Sequence, residues 1–262
     1  MLRYLVACSF WLPFLIYSSR TGHLDKRVWK YAIVPALANI ALQSLWARAY
    51  YYIEPGFANL LAKLSTLFVI IFSMLLFAEE RALIKSWRFW SGILLSIAGV
   101  VGVLIFKEDF RAAGTITGIV IILVFSVTWG VYTVSAKVAF KEIDVRSGFS
   151  VMSIYTAVGL CLLAFVFGDP TRSLKLTTWP WACIVISGIS SIALAHVLYH
   201  YSVKRIGASI PSLAILVVPF TVLGLSHIIW QETLNGYQLM FGIVLLIGVG
   251  LSLWSQQHLK QS

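Results

Sequence analysis

Asn59, Lys63, Thr66 and Ser73 recur at i, i+4, i+7 and i+14 within Glu54–Glu80, EPGFANLLAKLSTLFVIIFSMLLFAEE. On a helix turning about 100° per residue these spacings place all four within roughly 40° of one line. Such a stripe could hold a solute: an ammonium attracts a carboxylate or phosphate, and amide and hydroxyl groups take up its hydrogen bonds. Asn39, Gln43, Trp46 and Tyr50 repeat the pattern at i, i+4, i+7 and i+11 just upstream, so two adjacent helices each carry a polar face. Such faces either line a cavity or bond helix to helix, a role in which Asn and Gln contribute about 1 kcal/mol or less. His196, Tyr199 and His200 share a third face. Imidazole there could relay protons, bind a substrate carboxylate, or satisfy a backbone carbonyl. His200, nearer the end of its segment, is read as structural. Trp129 and Tyr132 could stack on a solute, although from the residues alone core packing is the simpler role.

These residues need elements that can carry them through lipid. The chain has 262 residues, 60% hydrophobic and 11% charged, with mean hydropathy +0.88. That composition excludes an ordinary soluble domain and a disordered chain alike. Nine segments are long and apolar enough to span: about 3 to 18, 30 to 52, 56 to 78, 88 to 106, 115 to 136, 149 to 168, 180 to 203, 208 to 230 and 237 to 255. Lys63 would lie about 12 Å inside the third, far for its side chain to snorkel, whereas Arg48 sits close enough to a surface to do so. The first segment begins like a signal peptide, but no small-residue cleavage site follows it, so a helix is expected.

The net charge of +10 comes from basic residues spread through the loops, which is no nucleic-acid patch. Alternate loops split them thirteen to five. The positive-inside rule then predicts a cytoplasmic C-terminus and, for the chain as written, an outside N-terminus.

FSMLLFAEERALIKSWRFWSGILLSIAGVVGVLI matches LSHIIWQETLNGYQLMFGIVLLIGVGLSLW: an apolar span, an acidic turn, a Gly-studded span. Glu80 pairs with Glu232 and Gly92 with Gly242, and AYYYIEPGFAN matches HYSVKRIGAS upstream. Segments one to four thus pair with six to nine. Five spans separate partners, so the copies enter the membrane in opposite senses, as in secondary transporters. The segment TITGIVIILVFSVTWGVYTVSAK is left without a partner, which would precede Met1.

In their order, the TWG of that unpaired helix, the apolar span ending in Glu, the Gly-rich closing helix, and YSVKRIGAS leading to a Pro-containing span that ends in QE resemble the drug/metabolite transporter superfamily, EamA-type branch. The resemblance covers all nine segments. It implies ten helices in two inverted halves, a substrate path between the halves, and the last helix of each half at the periphery. It also brings Trp129 and Tyr132 into the candidate path. The chain departs from the pattern in lacking the first helix, and in having Leu67 near where the second copy has Pro219.

The expected fold is an all-α polytopic transmembrane helix bundle, nine spans as written (4+5), from an inverted five-plus-five repeat with halves at 1–110 and 111–262. The expected function is a secondary transporter or exporter of a small amino-acid-like metabolite, zwitterionic or anionic. Its candidate path holds Asn39, Gln43, Trp46, Asn59, Lys63, Thr66, Trp129, Tyr132, His196 and Tyr199. The alternative is a non-transporting membrane subunit or lipid-handling protein. All ten acidic residues fall in loops or at helix ends, so cationic drugs are poor candidates. There is no GxxxxGK[ST] loop, no HExxH and no glycine-framed nucleophile around Ser190, Ser191 and His196, so neither an enzyme, a cofactor nor a metal is expected. Glu80 and Glu232 are expected to cap the helix that follows each. The expected partners are a small-molecule substrate and the lipid bilayer, with no nucleic acid and with a homodimer as one assembly. The expected location is a bacterial inner membrane.

Overall fold

A computed structural model describes residues 1–53, 55–106, 115–218, 221, 228 and 235–261. Pro219 and Glu232 lie outside the described residues. The described chain is helical: α1 Leu2–Arg20, α2 Arg27–Tyr31, α3 Ile33–Ala49, α4 Pro55–Ala62, α5 Ser65–Leu76, α6 Trp87–Ile105, α7 Ile116–Ala139, α8 Val145–Phe167, α9 Thr178–Ser187, α10 Ala195–Ile206, α11 Ser209–Ala214 and α12 Gly236–Gln261. Among the described residues Leu2–Arg20, Ile116–Ala139, Val145–Phe167 and Thr178–Ile206 are long and apolar enough to cross a membrane, and Ser65–Leu76, Trp87–Val103 and Gly236–Ser252 are shorter apolar helices. In lipid a backbone must satisfy its own polar groups, and these helices do so while turning large apolar side chains outward. On α8, for instance, Leu162, Phe165 and Val166 are exposed. This is a multi-pass membrane protein.

Two compact units divide the chain, one of residues 1–44 and 131–205, the other of 45–130 and 206–262. In the first, α1 packs on α8 and α9 and on the seven-residue π-helical stretch Gly188–Leu194 that joins α9 to α10. The close approach needs a glycine. A Cβ on Gly188 would stand 2.9 Å from Val6 Cβ and 3.0 Å from the Arg3 carbonyl oxygen. Widening to π geometry disturbs the carbonyl ladder, and one of its carbonyls, Ala193 O, accepts a hydrogen bond from Trp11 Nε1 at 3.0 Å. Asp144 caps α8, its carboxylate accepting from Ser147 N at 3.1 Å.

The second unit is built on α6 against α12. Small residues line both, Gly92, Ser96 and Gly99 on one and Gly248 and Ser252 on the other, with Leu245 seated against Gly99. A Cβ on Gly99 would meet Leu245 Cβ at 2.6 Å, one on Gly248 would meet Ser96 N at 2.5 Å, and one on Gly92 would meet Gly248 O at 2.7 Å. The partner number falls as the α6 number rises, so the helices run antiparallel, backbone on backbone, the small-residue packing that lipid favours.

The single helix expected over 56 to 78 is two, because the chain tightens at Lys63 and Leu64 between α4 and α5. Leu64 N bonds Leu61 O at 3.0 Å, Thr66 N bonds Lys63 O at 3.1 Å and Leu67 N bonds Leu64 O at 3.0 Å, all i to i+3. In the second half α11 likewise gives way to a 3₁₀ turn, Ile215–Val217, at the position the repeat aligns with Lys63 and Leu64.

Glu80 sits in the 3₁₀ turn Ala78–Lys85, where Arg81 closes α5 by donating to Met74 O and Leu75 O, both at 3.0 Å. The N-terminus that Glu80 serves is not the next one in sequence. Its Oε1 accepts from Ala208 N at 2.8 Å, and its Oε2 accepts from Ser209 N at 3.0 Å and from Ser209 Oγ, at the start of α11. Gly207 makes room, with φ +91 and a site for Cβ only 2.9 Å from Glu80 Cδ.

Candidate functional site

The first unit buries two clusters of polar side chains among its apolar helices. Asn39 and Gln43, one turn apart on α3, meet Tyr4 of α1 and Thr156 of α8. Asn39 Nδ2 donates to Tyr4 Oη at 2.8 Å and to Thr156 Oγ1 at 3.2 Å; Tyr4 Oη lies 3.1 Å from Asn39 Oδ1 and Gln43 Nε2 3.3 Å from Tyr4 Oη. Tyr4, Asn39 and Thr156 are buried almost completely. Three helices thus meet through groups that could not stay in lipid unpaired.

The second cluster joins α7 to α10. Tyr132 Oη lies 2.9 Å from His196 Nδ1 and 2.8 Å from His200 Nε2, and Tyr199 Oη lies 3.3 Å from Thr133 Oγ1. Phe149 of α8 covers both imidazoles, with ring centroids at 5.8 Å and 6.3 Å, and Phe140 meets His200 edge-on at 5.5 Å. The histidines are four residues apart and follow directly on the π stretch, which sets the direction in which α10 presents them. Of the sequence candidates, this unit brings together Asn39 with Gln43, and Tyr132 with His196. His200, read from sequence as structural, is bonded to the same hydroxyl.

In the second unit the stripe is divided. Thr66, buried, donates to Ser212 O of α11 at 3.2 Å, a bond between the two interrupted helices. Ser73 is fully buried, and its Oγ has no hydrogen-bond partner among the described residues. Asn59 is exposed. Lys63 is half-buried and borders a cavity of about 190 Å³ with Leu61, Leu64, Leu67, Ile97 and Leu216. The wall is almost wholly apolar, so the lysine contributes its aliphatic stem there. Trp46 and Trp129 flank Phe125, with centroids 4.7 Å and 6.3 Å from it. Arg48 is exposed and donates to Tyr52 Oη at 2.7 Å, as a residue reaching for the interface would.

Sequence reasoning missed Tyr4 and Thr156, and it set His200 aside as structural. Tyr4 and Thr156 lie far from Asn39 in the chain and carry no spacing signal. His200 did carry one, being one turn beyond His196 on the same face.

An EamA-like transporter family model matches residues 1–105 and again 116–254. The uncharacterized transporter YoaV of Bacillus subtilis (strain 168) is 20% identical over 230 residues, covering 88% of this chain and 77% of its own. An uncharacterized transporter of Haemophilus influenzae is 24% identical over 233 residues, covering 86% of this chain and 72% of its own. A solved crystal structure with 17% sequence identity has the same fold, with a TM-score of 0.75 over 96% of this chain and 85% of that one. With two matches that together span nearly its whole length, the chain belongs to the EamA-like transporter family.

Proposed function

We propose that this protein is a secondary transporter that moves a small amino-acid-like metabolite, zwitterionic or anionic, across a cell membrane. The observation that carries the reading is the pair of polar clusters held inside apolar helices, around Asn39 and around Tyr132. Amide, phenol and imidazole groups at that depth can exchange their mutual hydrogen bonds for those of a solute. In this reading Lys63 supplies a fixed positive charge, and the candidate path takes in Trp46, Asn59, Thr66, Trp129 and Tyr199. The antiparallel pairing of α6 and α12, and the interruption of corresponding helices in residues 1–110 and 111–262, support inverted halves. In this reading the C-terminus lies in the cytoplasm, the side that the charge split favours.

The test is uptake of radiolabelled amino acids into proteoliposomes, with Lys63→Met compared at matched protein content. Lys63→Met keeps the volume and removes the charge, so it should insert normally and transport poorly. The aliphatic cavity beside Lys63 favours a second reading, a lipid-handling protein. Such a protein would leave amino acids outside the vesicles.

A further inference from the structure

Tyr132 Oη touches two imidazole nitrogens, His196 Nδ1 and His200 Nε2. A phenol has one proton, so it donates to one ring and accepts from the other, and the chain of bonds has a direction. His200 sets it. The residue is 2% exposed, and its Nδ1 has no hydrogen-bond partner among the described residues. A buried N–H without an acceptor is rarer than an acceptor left under-satisfied, so Nδ1 is the bare nitrogen. His200 Nε2–H therefore donates to Tyr132, the Tyr132 O–H donates to His196 Nδ1, and His196 carries its own proton on Nε2.

We propose that His200, Tyr132 and His196 form one shared proton site, and that its loading and unloading couples proton movement to transport. The coupling rests on the transporter reading above; the shared site does not. A proton arriving at His200 Nδ1 makes that ring an imidazolium. Its Nε2–H then passes to the Tyr132 oxygen while the Tyr132 O–H passes to His196 Nδ1. One N–H and one O–H bond break, one of each forms, and no electron changes hands. The positive charge has moved between rings whose centroids are 6.3 Å apart, and His196 can release a proton from Nε2. Arg3 and Tyr4 of α1 and Tyr199 of α10 are charged or titratable groups that act on the cluster among the described residues, while α8 turns the apolar Phe149 ring to it. The site lies wholly within the first unit.

Nitrogen-15 NMR of histidine-labelled full-length protein in lipid nanodiscs, without any substrate, tests the shared site from about pH 9 down to about pH 4. The expected result is one protonation step reported simultaneously at His196 and His200, which Tyr132→Phe confines to a single ring. Two independent steps in the parent protein, two rings that both stay neutral down to about pH 4, or an unchanged joint step in Tyr132→Phe, would overturn it. Uptake of a labelled amino-acid mixture by the same proteins tests the coupling. Tyr132→Phe should lower accumulation driven by a pH gradient by a larger factor than it lowers exchange between equal pools, and an equal loss of both overturns the coupling. Undiminished accumulation by Tyr132→Phe overturns the coupling. Absence of all exchange by the parent overturns the transporter reading instead, and leaves the shared proton site to the NMR result.

Discussion

Replacing Glu80 should unseat α11 more severely than any surface change could. Among the described residues its carboxylate accepts hydrogen bonds from Ala208 N, Ser209 N and Ser209 Oγ, 128 and 129 residues away in sequence, and Glu80 is 3% exposed. A hydrogen bond to a charged group contributes about 1.5–3 kcal/mol, and each stranded buried donor costs about 1–3 kcal/mol. Glu80→Ala strands all three. Some relief comes as the start of the short helix frays toward water, which leaves a loss of about 3–5 kcal/mol. Glu80→Gln keeps the size and one acceptor oxygen but turns an amide N–H₂ toward donors, for a loss of about 1.5–3 kcal/mol. Ser209→Ala removes only the hydroxyl bond and should cost about 1 kcal/mol. Unfolding by SDS titration in mixed micelles would give the three values. The reasoning fails if Glu80→Ala unfolds within about 0.5 kcal/mol of the parent, or if Gln proves worse than Ala.

Gly99→Val should destabilise the α6–α12 pair by about 1–3 kcal/mol, because Cβ alone would stand 2.6 Å from Leu245 Cβ; the same titration measures it, and a neutral result would mean that the helices do not meet there. Asn39→Ala removes the donor to Tyr4 and Thr156 and should cost about 1–2 kcal/mol while slowing uptake; an unchanged unfolding midpoint would contradict the hydrogen-bonded cluster. A reporter that works only in the cytoplasm, fused after Ser262, should be active, and activity only from an outside-specific reporter would reverse the assigned orientation.

Much of this molecule can be read from its sequence, for a physical reason. Apolar length is what a bilayer demands of a helix, so the membrane-spanning helices leave a local mark, whereas the packing of the two Gly-studded helices α6 and α12 on each other is seen only in the structure. The i, i+4 spacing of Asn39 and Gln43 placed them on one face, and the structure bonds them to the same Tyr4 hydroxyl. Three things left no such mark. The tightened turn at Lys63 and Leu64 has no Gly or Pro in it, so a continuous helix was the natural expectation and the stripe through Ser73 was drawn too straight. The π stretch before His196 opens on Gly188, which explains the close approach of α1 but does not announce the wider helix, although that stretch decides where both imidazoles point. Glu80 looked like the cap of its neighbour, and its true partner is a helix brought to it only by the tertiary fold.

Uptake tests the central claim most directly. The full chain, purified into liposomes, should concentrate at least one radiolabelled zwitterionic or anionic amino acid above the level in protein-free vesicles when a gradient of protons or of the amino acid itself is imposed, and Lys63→Met should do so measurably less. Vesicles that take up no more label than protein-free controls, across the whole set of amino acids and under either gradient, would contradict it.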